Sequence, residues 1–190
     1  MNADKSFVLL TIFIFALSAQ AQSQKKEFAD IVKELEIINN QGNVTVTGTM
    51  TGKTAVTLNE IKFQPGCNPV VEFEKGRLSV SNIAKPPLRK TDCHYNIEVI
   101  TPIPDEVKGL IEVENGKIDL TEYAGDLDLV IEKGDLNVSA SVLNKFSCDT
   151  KEGNVTLSGA LRNGKILINQ GNAKISYTKE PESGTLEVYV

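Results

Sequence analysis

Asn115-Gly116-Lys117-Ile118-Asp119-Leu120, Lys133-Gly134-Asp135-Leu136-Asn137-Val138, Glu152-Gly153-Asn154-Val155-Thr156-Leu157 and Gln170-Gly171-Asn172-Ala173-Lys174-Ile175 are four copies of one pattern. Each is a glycine turn followed by an alternating strand, and the glycines recur at spacings of 18, 19 and 18 residues. An earlier copy stands at Gln41-Gly42-Asn43-Val44-Thr45-Val46. Second turns are expected nine to thirteen residues on, at Gly125, Asn144, Gly164 and Gly184, and at Gly52 in the early copy. Leu127 and Leu129, Phe146 and Cys148, Ile166 and Ile168, and Leu186 and Val188 follow those turns. Alternation with a period of two places one residue set inward and the other in solvent. Strands of about five residues, bounded by Gly or Asn that tolerate positive φ, fit this spacing, and helices of ten or more do not.

One such unit buries too few side chains to offset the entropy of ordering its backbone, so the units must stack. The expectation is an all-β protein in which Ile97 to Val190 forms a β-solenoid of 18- to 19-residue, two-strand rungs. A β-sandwich is the alternative. The N-terminal β region is less regular, with strand candidates at Leu35–Ile38, Val44–Val46, Ala55–Phe63, Val70–Phe73, Leu78–Ile83 and Tyr95–Ile100. Lys25–Leu35 carries Phe28, Ile31, Val32 and Leu35 at i, i+3, i+4 and i+7, which suits either a capping helix or a leader strand.

The run Asn96-Ile97-Glu98-Val99, then Pro102, Pro104 and Asp105-Glu106-Val107-Lys108-Gly109, then Ile111-Glu112-Val113-Glu114-Asn115-Gly116, resembles the bacterial "putative adhesin" domain family of unknown function. The resemblance covers residue 28 to Val190. It implies a right-handed β-solenoid built on Gly-Asp and Gly-Asn turns, and no enzymatic activity. This chain departs from the family in its three cysteines and in lacking a lipid-attachment cysteine.

The first residues bear on compartment. Lys5 precedes an apolar stretch, Phe7 to Leu17, and Ala19-Gln20-Ala21 is an A-x-A cleavage site. The stretch is shorter than the roughly 20 residues a membrane span needs. Residues 1–21 therefore read as a signal peptide and 22–190 as one domain, exported to the periplasm or secreted, with no transmembrane anchor. Removing Asp4 and Lys5 with the leader leaves the net charge at −5. That acidity disfavours nucleic acid, whose phosphates call for a basic face.

Exported chains pair their cysteines. Cys67 and Cys93, closest in sequence and flanked by turn or polar residues, are the expected disulfide, and three free thiols are the alternative. Such a bridge is worth roughly 3 kcal/mol in the chain-entropy account. Aligning the second turns places Cys148 in an inward column with Leu129, Ile168 and Val188, as a buried free thiol. The cysteine spacing resembles no zinc pattern, and one histidine, His94, in the whole chain argues against a structural zinc. No metal or cofactor is assigned, with weak Ca²⁺ binding at Asp126, Asp128 and Asp135 as the alternative to a solvated face.

No catalytic residue is assigned. Asp126, Asp128 and Asp135 lie close in sequence, and paired carboxylates would suit glycoside hydrolysis. The same alignment sets Lys145 and Ser147, then Lys165 and Leu167, beside Asp126 and Asp128, so the face reads as a solvated mixture of acid and base. Asn43-Val44-Thr45, Asn137-Val138-Ser139 and Asn154-Val155-Thr156 match a glycosylation pattern that alternating strands after Gly-Asn turns produce by themselves. Tyr95, Tyr123, Tyr177 and Tyr189 form no evident row.

The function this supports is a non-enzymatic envelope or secreted binding scaffold. Its partner would be a protein or cell-surface component, and self-association is open through Leu186, Val188 and Val190 at the C-terminal edge. A polysaccharide-acting enzyme and a secreted effector-like module are the alternatives. The leader gives a direct test: mass spectrometry of the exported protein should find Gln22 at the N-terminus. Ala21→Phe should block processing, and an intact Met1 terminus would refute the reading.

Overall fold

Every strand expected from alternation is formed in the computed structural model, which describes residues 23–62, 66–83, 89, 92–103, 107–177 and 184–190. The leader, its cleavage site and residues 104–106 of the family-like run lie outside the described residues. Thirteen strands and no α-helix are found among those described. They are β1 (Ser23–Phe28), β2 (Glu34–Gln41), β3 (Val44–Thr49), β4 (Thr54–Lys62), β5 (Val70–Glu74), β6 (Arg77–Asn82), β7 (His94–Pro102), β8 (Val107–Asn115), β9 (Ile118–Lys133), β10 (Leu136–Glu152), β11 (Val155–Gln170), β12 (Ala173–Tyr177) and β13 (Leu186–Tyr189).

Pairing follows two ladders that share the long strands β9, β10 and β11. The first runs β1, β4, β7, β3, then the leading halves of β9, β10 and β11, then β12. The second runs β5, β6, β2, β8, then the trailing halves of β9, β10 and β11, then β13. All pairs are parallel except β1 with β4, β4 with β7 and β5 with β6, which lie at one end of the stack. Along both ladders alternate residues are buried, and they join one apolar cluster that extends from Val32 to Ile168.

Glycine fixes the turn between the ladders. Gly116, Gly134, Gly153 and Gly171 have φ of +157°, +140°, +149° and +149°. A Cβ on Gly134 would strike the carbonyl oxygen of Gly116, one on Gly153 that of Gly134, and one on Gly171 that of Gly153. Position and neighbour therefore both exclude a side chain. The next residues form a side-chain ladder beside this column. Asn43 Oδ1 accepts from the amide of Lys117 at 3.0 Å, Asp135 Oδ1 accepts from the amide of Asn154 at 2.9 Å, and Asn172 Nδ2 donates to Asn154 Oδ1 at 3.2 Å. Backbone bonds such as Gly134 N–H to Glu152 O (2.9 Å) and Leu136 N–H to Asn154 O (2.9 Å) complete each turn.

Three expectations need correction. The second turns at Gly125, Asn144 and Gly164 are not strand ends: β9, β10 and β11 pass through them as single strands of 16, 17 and 16 residues. Pairing of β10 with β9 on one side and β11 on the other continues through the corner, which is absorbed by bulges at Ala140/Val142 and Leu143/Lys145. Because β10 carries that extra length, Cys148 pairs with Leu129 and Ile166, and Ile166 with Val188. Ile168 instead faces Thr150. The same offset sets Asn163 and Lys165 beside Lys145 and Ser147, in place of the expected Lys165 and Leu167.

Of the two readings open for Lys25–Leu35, the leader strand is the one formed, and no helix. Lys25 to Phe28 belong to β1, paired antiparallel with β4, and β2 starts at Glu34. Val32 and Leu35 are buried, Ile31 is exposed, and Phe28 stacks on Phe73 with ring centroids 5.1 Å apart. The early copy, first in sequence, is not first in the stack. β2 lies between β6 and β8, and β3 between β7 and β9, so residues 34–49 are inserted between layers that come later in sequence. The regular winding of a solenoid is broken there.

Cys67 and Cys93 are disulfide-bonded with Cα atoms 5.5 Å apart. The bridge ties the segment before β5 to the start of β7, beside buried polar groups. Asn39 Nδ2 donates to the carbonyls of Gly42 (3.0 Å) and Tyr95 (2.9 Å), and Asn82 Nδ2 to Asn39 Oδ1 (2.9 Å) and the Cys93 carbonyl (3.1 Å). Cys148 is a buried free thiol, 3.4 Å from Thr150 Oγ1.

Two stability predictions follow from these contacts. Gly134→Ala should lower unfolding free energy by roughly 3 kcal/mol or more, because a buried backbone contact must open and φ is unfavourable. Gly52→Ala, at φ +121° with no atom near its Cβ, should lose only about 1 kcal/mol. Equal losses in urea denaturation would show that the glycine column does not set the fold. For Cys148, burial pushes the thiol from 9.0 up to about 11. Below pH 9 the thiol is protonated in both states and its contribution is fully present. Between pH 9 and about 11 only the unfolded chain ionises, so stability falls. Cys148→Ala should be less stable at pH 7, yet should lose less between pH 8 and 10.5 than the wild type.

Candidate binding surfaces

The outward residues of the first ladder form two straight rows. One is Thr45, Asp119, Asn137, Thr156 and Lys174, and the other is Thr47, Thr121, Ser139, Ser158 and Ser176. From β3 to β12 every member of the second row carries a hydroxyl, repeated at the strand spacing of about 4.8 Å, and beyond Thr47 the row passes into the apolar Ile100 of β7. Thr121, Ser139 and Ser176 are exposed, and Thr47 and Ser158 half-buried. Ser158 Oγ donates to the Val138 carbonyl at 3.3 Å. In the first row Asp119 is neutralised locally, accepting from Asn137 Nδ2 at 2.9 Å and pairing with Lys117 Nζ at 2.9 Å. Between β3 and β12 the face carries few charges and is rich in donors that can also accept.

The outward face of the second ladder differs in kind. Arg77, Glu34, Lys108, Asp126 and Lys145 form one of its rows, alternating in sign. Arg77 pairs with half-buried Glu36 at 2.8 Å and Lys151 with Glu132 at 2.6 Å, the second pair exposed on both sides and weak. A shallow trough of about 330 Å³ crosses this face, with Ile38, Ile83 and Val130 on its floor and Glu112 and Glu132 along it. Asn40, 7% exposed, lines it with a side-chain nitrogen that has no hydrogen-bond partner among the described residues.

The three aspartates are not brought together as a pair of catalytic carboxylates. Asp126 and Asp128 point outward from β9 beside Lys145 and Ser147, whereas Asp135 is engaged in the turn with Asn154. His94 opens β7, half-buried, next to the disulfide. Tyr95 and Tyr123 are interior structural groups. Tyr95 Oη donates to buried Glu60 at 3.1 Å, and burial followed by that carboxylate pushes its hydroxyl up to about 12. Tyr123 Oη donates to the carbonyls of Val107 (3.2 Å) and Asp126 (3.3 Å), and burial raises it further. Among the described residues no three carboxylate, imidazole or thiol groups gather as metal ligands, and no helix is long and apolar enough to cross a membrane.

Leu186 is half-buried, and Val188 and Val190 are exposed. The hydroxyl row is present in the sequence as Thr45-Val46-Thr47, Asn137-Val138-Ser139 and Thr156-Leu157-Ser158, but its significance depends on registers that only pairing reveals.

No protein-family model and no curated protein matches the chain. Among solved structures it is similar to a putative cell adhesion protein from Clostridium sporogenes, with 9% identity, a TM-score of 0.41, and 88% of this chain and 99% of that one covered. It is similar to a putative adhesin from Bacteroides fragilis, with 15% identity, a TM-score of 0.36, and 90% and 98% covered. A third, a putative adhesin from Parabacteroides distasonis, has 11% identity, a TM-score of 0.41, and 88% and 79% covered. These structural neighbours are bacterial proteins named as putative adhesins. At such identities and TM-scores no role passes from them to this chain.

Proposed function

We propose that Gln22 to Val190 is an exported, non-enzymatic binding scaffold, a short right-handed parallel β-solenoid-like domain that acts in the periplasm or outside the cell. Its partner is a protein or cell-surface component met along an extended sheet face. The hydroxyl row Thr47, Thr121, Ser139, Ser158 and Ser176 carries this reading. A flat row of short neutral side chains keeps little conformational entropy to lose and presents paired donors and acceptors at a fixed step. Such a surface suits an extended polar ligand better than a compact one. The disulfide supports an oxidising compartment.

Retention on fractionated envelope tests the reading, using wild type, Thr121→Arg/Ser139→Arg, and a control on the other face, Lys165→Ala. Wild type and control should be retained, and the double variant should lose retention by roughly tenfold, the scale of about 1.4 kcal/mol. Retention that survives protease treatment of the envelope identifies a polysaccharide component, and retention abolished by it identifies a protein. No retention of wild type, or equal retention of all three, would refute the proposed face.

A further inference from the structure

The two ends of the stack are finished differently. At one end the outer strands are antiparallel, and both carry charge: Lys25, Lys26 and Glu27 on β1, Glu72 and Glu74 on β5. Charge on an edge strand discourages further pairing. At the other end β12 and β13 each pair with β11 and with no other described strand. These strands carry one charge each, Lys174 and Glu187. Tyr177, Val188, Tyr189 and Val190 are exposed around them, at 46, 40, 54 and 75%.

We propose that this end pairs with the same end of a second copy about a two-fold axis, giving a closed dimer in which β12 meets β12 and β13 meets β13 antiparallel. A two-fold axis normal to the sheet faces reverses strand direction and keeps each ladder on its own side. Centred on Ile175, β12 sets Lys174 opposite Ser176 of the second copy and Ala173 opposite Tyr177. Centred on Val188, β13 sets Glu187 opposite Tyr189 and Leu186 opposite Val190. Neither strand then places like charges face to face, the arrangement that would oppose pairing.

Both centres continue inward columns of the core, since Ile175 pairs with Leu157, and Val188 with Ile166. One axis serves both strands. Ile175 lies four residues after Gly171, and Ile166, the partner of Val188, lies five residues before it. The two centres therefore stand at nearly the same distance from the shared turn. Dimerisation would satisfy both open edges and cover Ile175 and Val188 with their own copies.

Sedimentation velocity of the exported protein over a wide concentration range should show a monomer and a dimer only. Ser176→Lys sets a second ammonium group opposite Lys174, twice per dimer, and should raise the dissociation constant roughly tenfold or more. Adding Lys174→Glu to it makes both contacts complementary and should restore the dimer. Val188→Cys places an exposed thiol on the axis and should give a disulfide-linked dimer on mild oxidation. A monomer throughout, a series growing beyond two copies, or failure of Lys174→Glu to rescue would overturn the proposal. Tyr189→Glu, which sets a second carboxylate opposite Glu187 on β13 and lies off the hydroxyl row, should likewise weaken the dimer. Envelope retention by this variant would leave the binding-face reading standing, so the two can fail separately.

Discussion

The close approach of glycine to glycine at the turn column is the constraint on which the other features depend. Each of Gly134, Gly153 and Gly171 sits where its own Cβ would meet the carbonyl oxygen of the preceding layer's glycine. The contact fixes the vertical step between layers and the phase of every strand leaving the turn. A slip of one residue would turn each apolar set outward. Asn43, Asp135 and Asn154 reinforce the step by holding backbone or side-chain groups of the adjacent layer. The corner on the other side has no such column and tolerates bulges that differ from layer to layer.

This asymmetry explains what can be read in the residues and what cannot. The spacing of Gly116, Gly134, Gly153 and Gly171 is written directly into the chain, and so are the strands that follow. Register on the trailing halves depends on which landmark is counted from. Leu129, Cys148 and Ile166 each lie five residues before a turn glycine and do align, whereas counting from Asn144 and Gly164 displaces Cys148 by two residues. Gly and Asn at that corner mark a turn locally. Pairing of β10 with β9 and β11 instead carries the strands through it. The helical spacing of Phe28, Ile31, Val32 and Leu35 is likewise a local signal overridden by pairing with distant partners.

The insertion of residues 34–49 between later layers leaves no mark in local sequence, because strand order is a property of non-local pairing. Its cost and its support are visible in the structure. Entering between β6–β7 and β8–β9, the segment brings Asn39 into the interior. A buried amide needs partners, and Asn39 finds them in Gly42, Tyr95 and Asn82, with Asn82 also bound to the carbonyl of Cys93. The disulfide from Cys93 to Cys67 then holds the chain next to this network. The polar groups make the inserted layer specific, since an apolar residue at position 39 would remove the acceptor of one Asn82 N–H and the donor to two carbonyls.

The same geometry bears on the kind of chemistry the protein can perform. Catalytic groups must converge, and convergence needs loops or elements that turn side chains toward one point. In β9, β10 and β11 outward side chains stand nearly perpendicular to the sheet and parallel to one another, so neighbouring layers repeat a group at a fixed step without focusing it. Asp126 and Asp128 illustrate this: they share a strand face, yet their lateral neighbours on β10 are Lys145 and Ser147. A repeated step is poor at polarising one bond and well suited to matching an extended surface. The two outward faces differ chemically. Paired, exposed charges make one face soluble and salt-sensitive, and between β3 and β12 short hydroxyls leave the other with few charges and with hydrogen bonds whose strength does not depend on ionic strength.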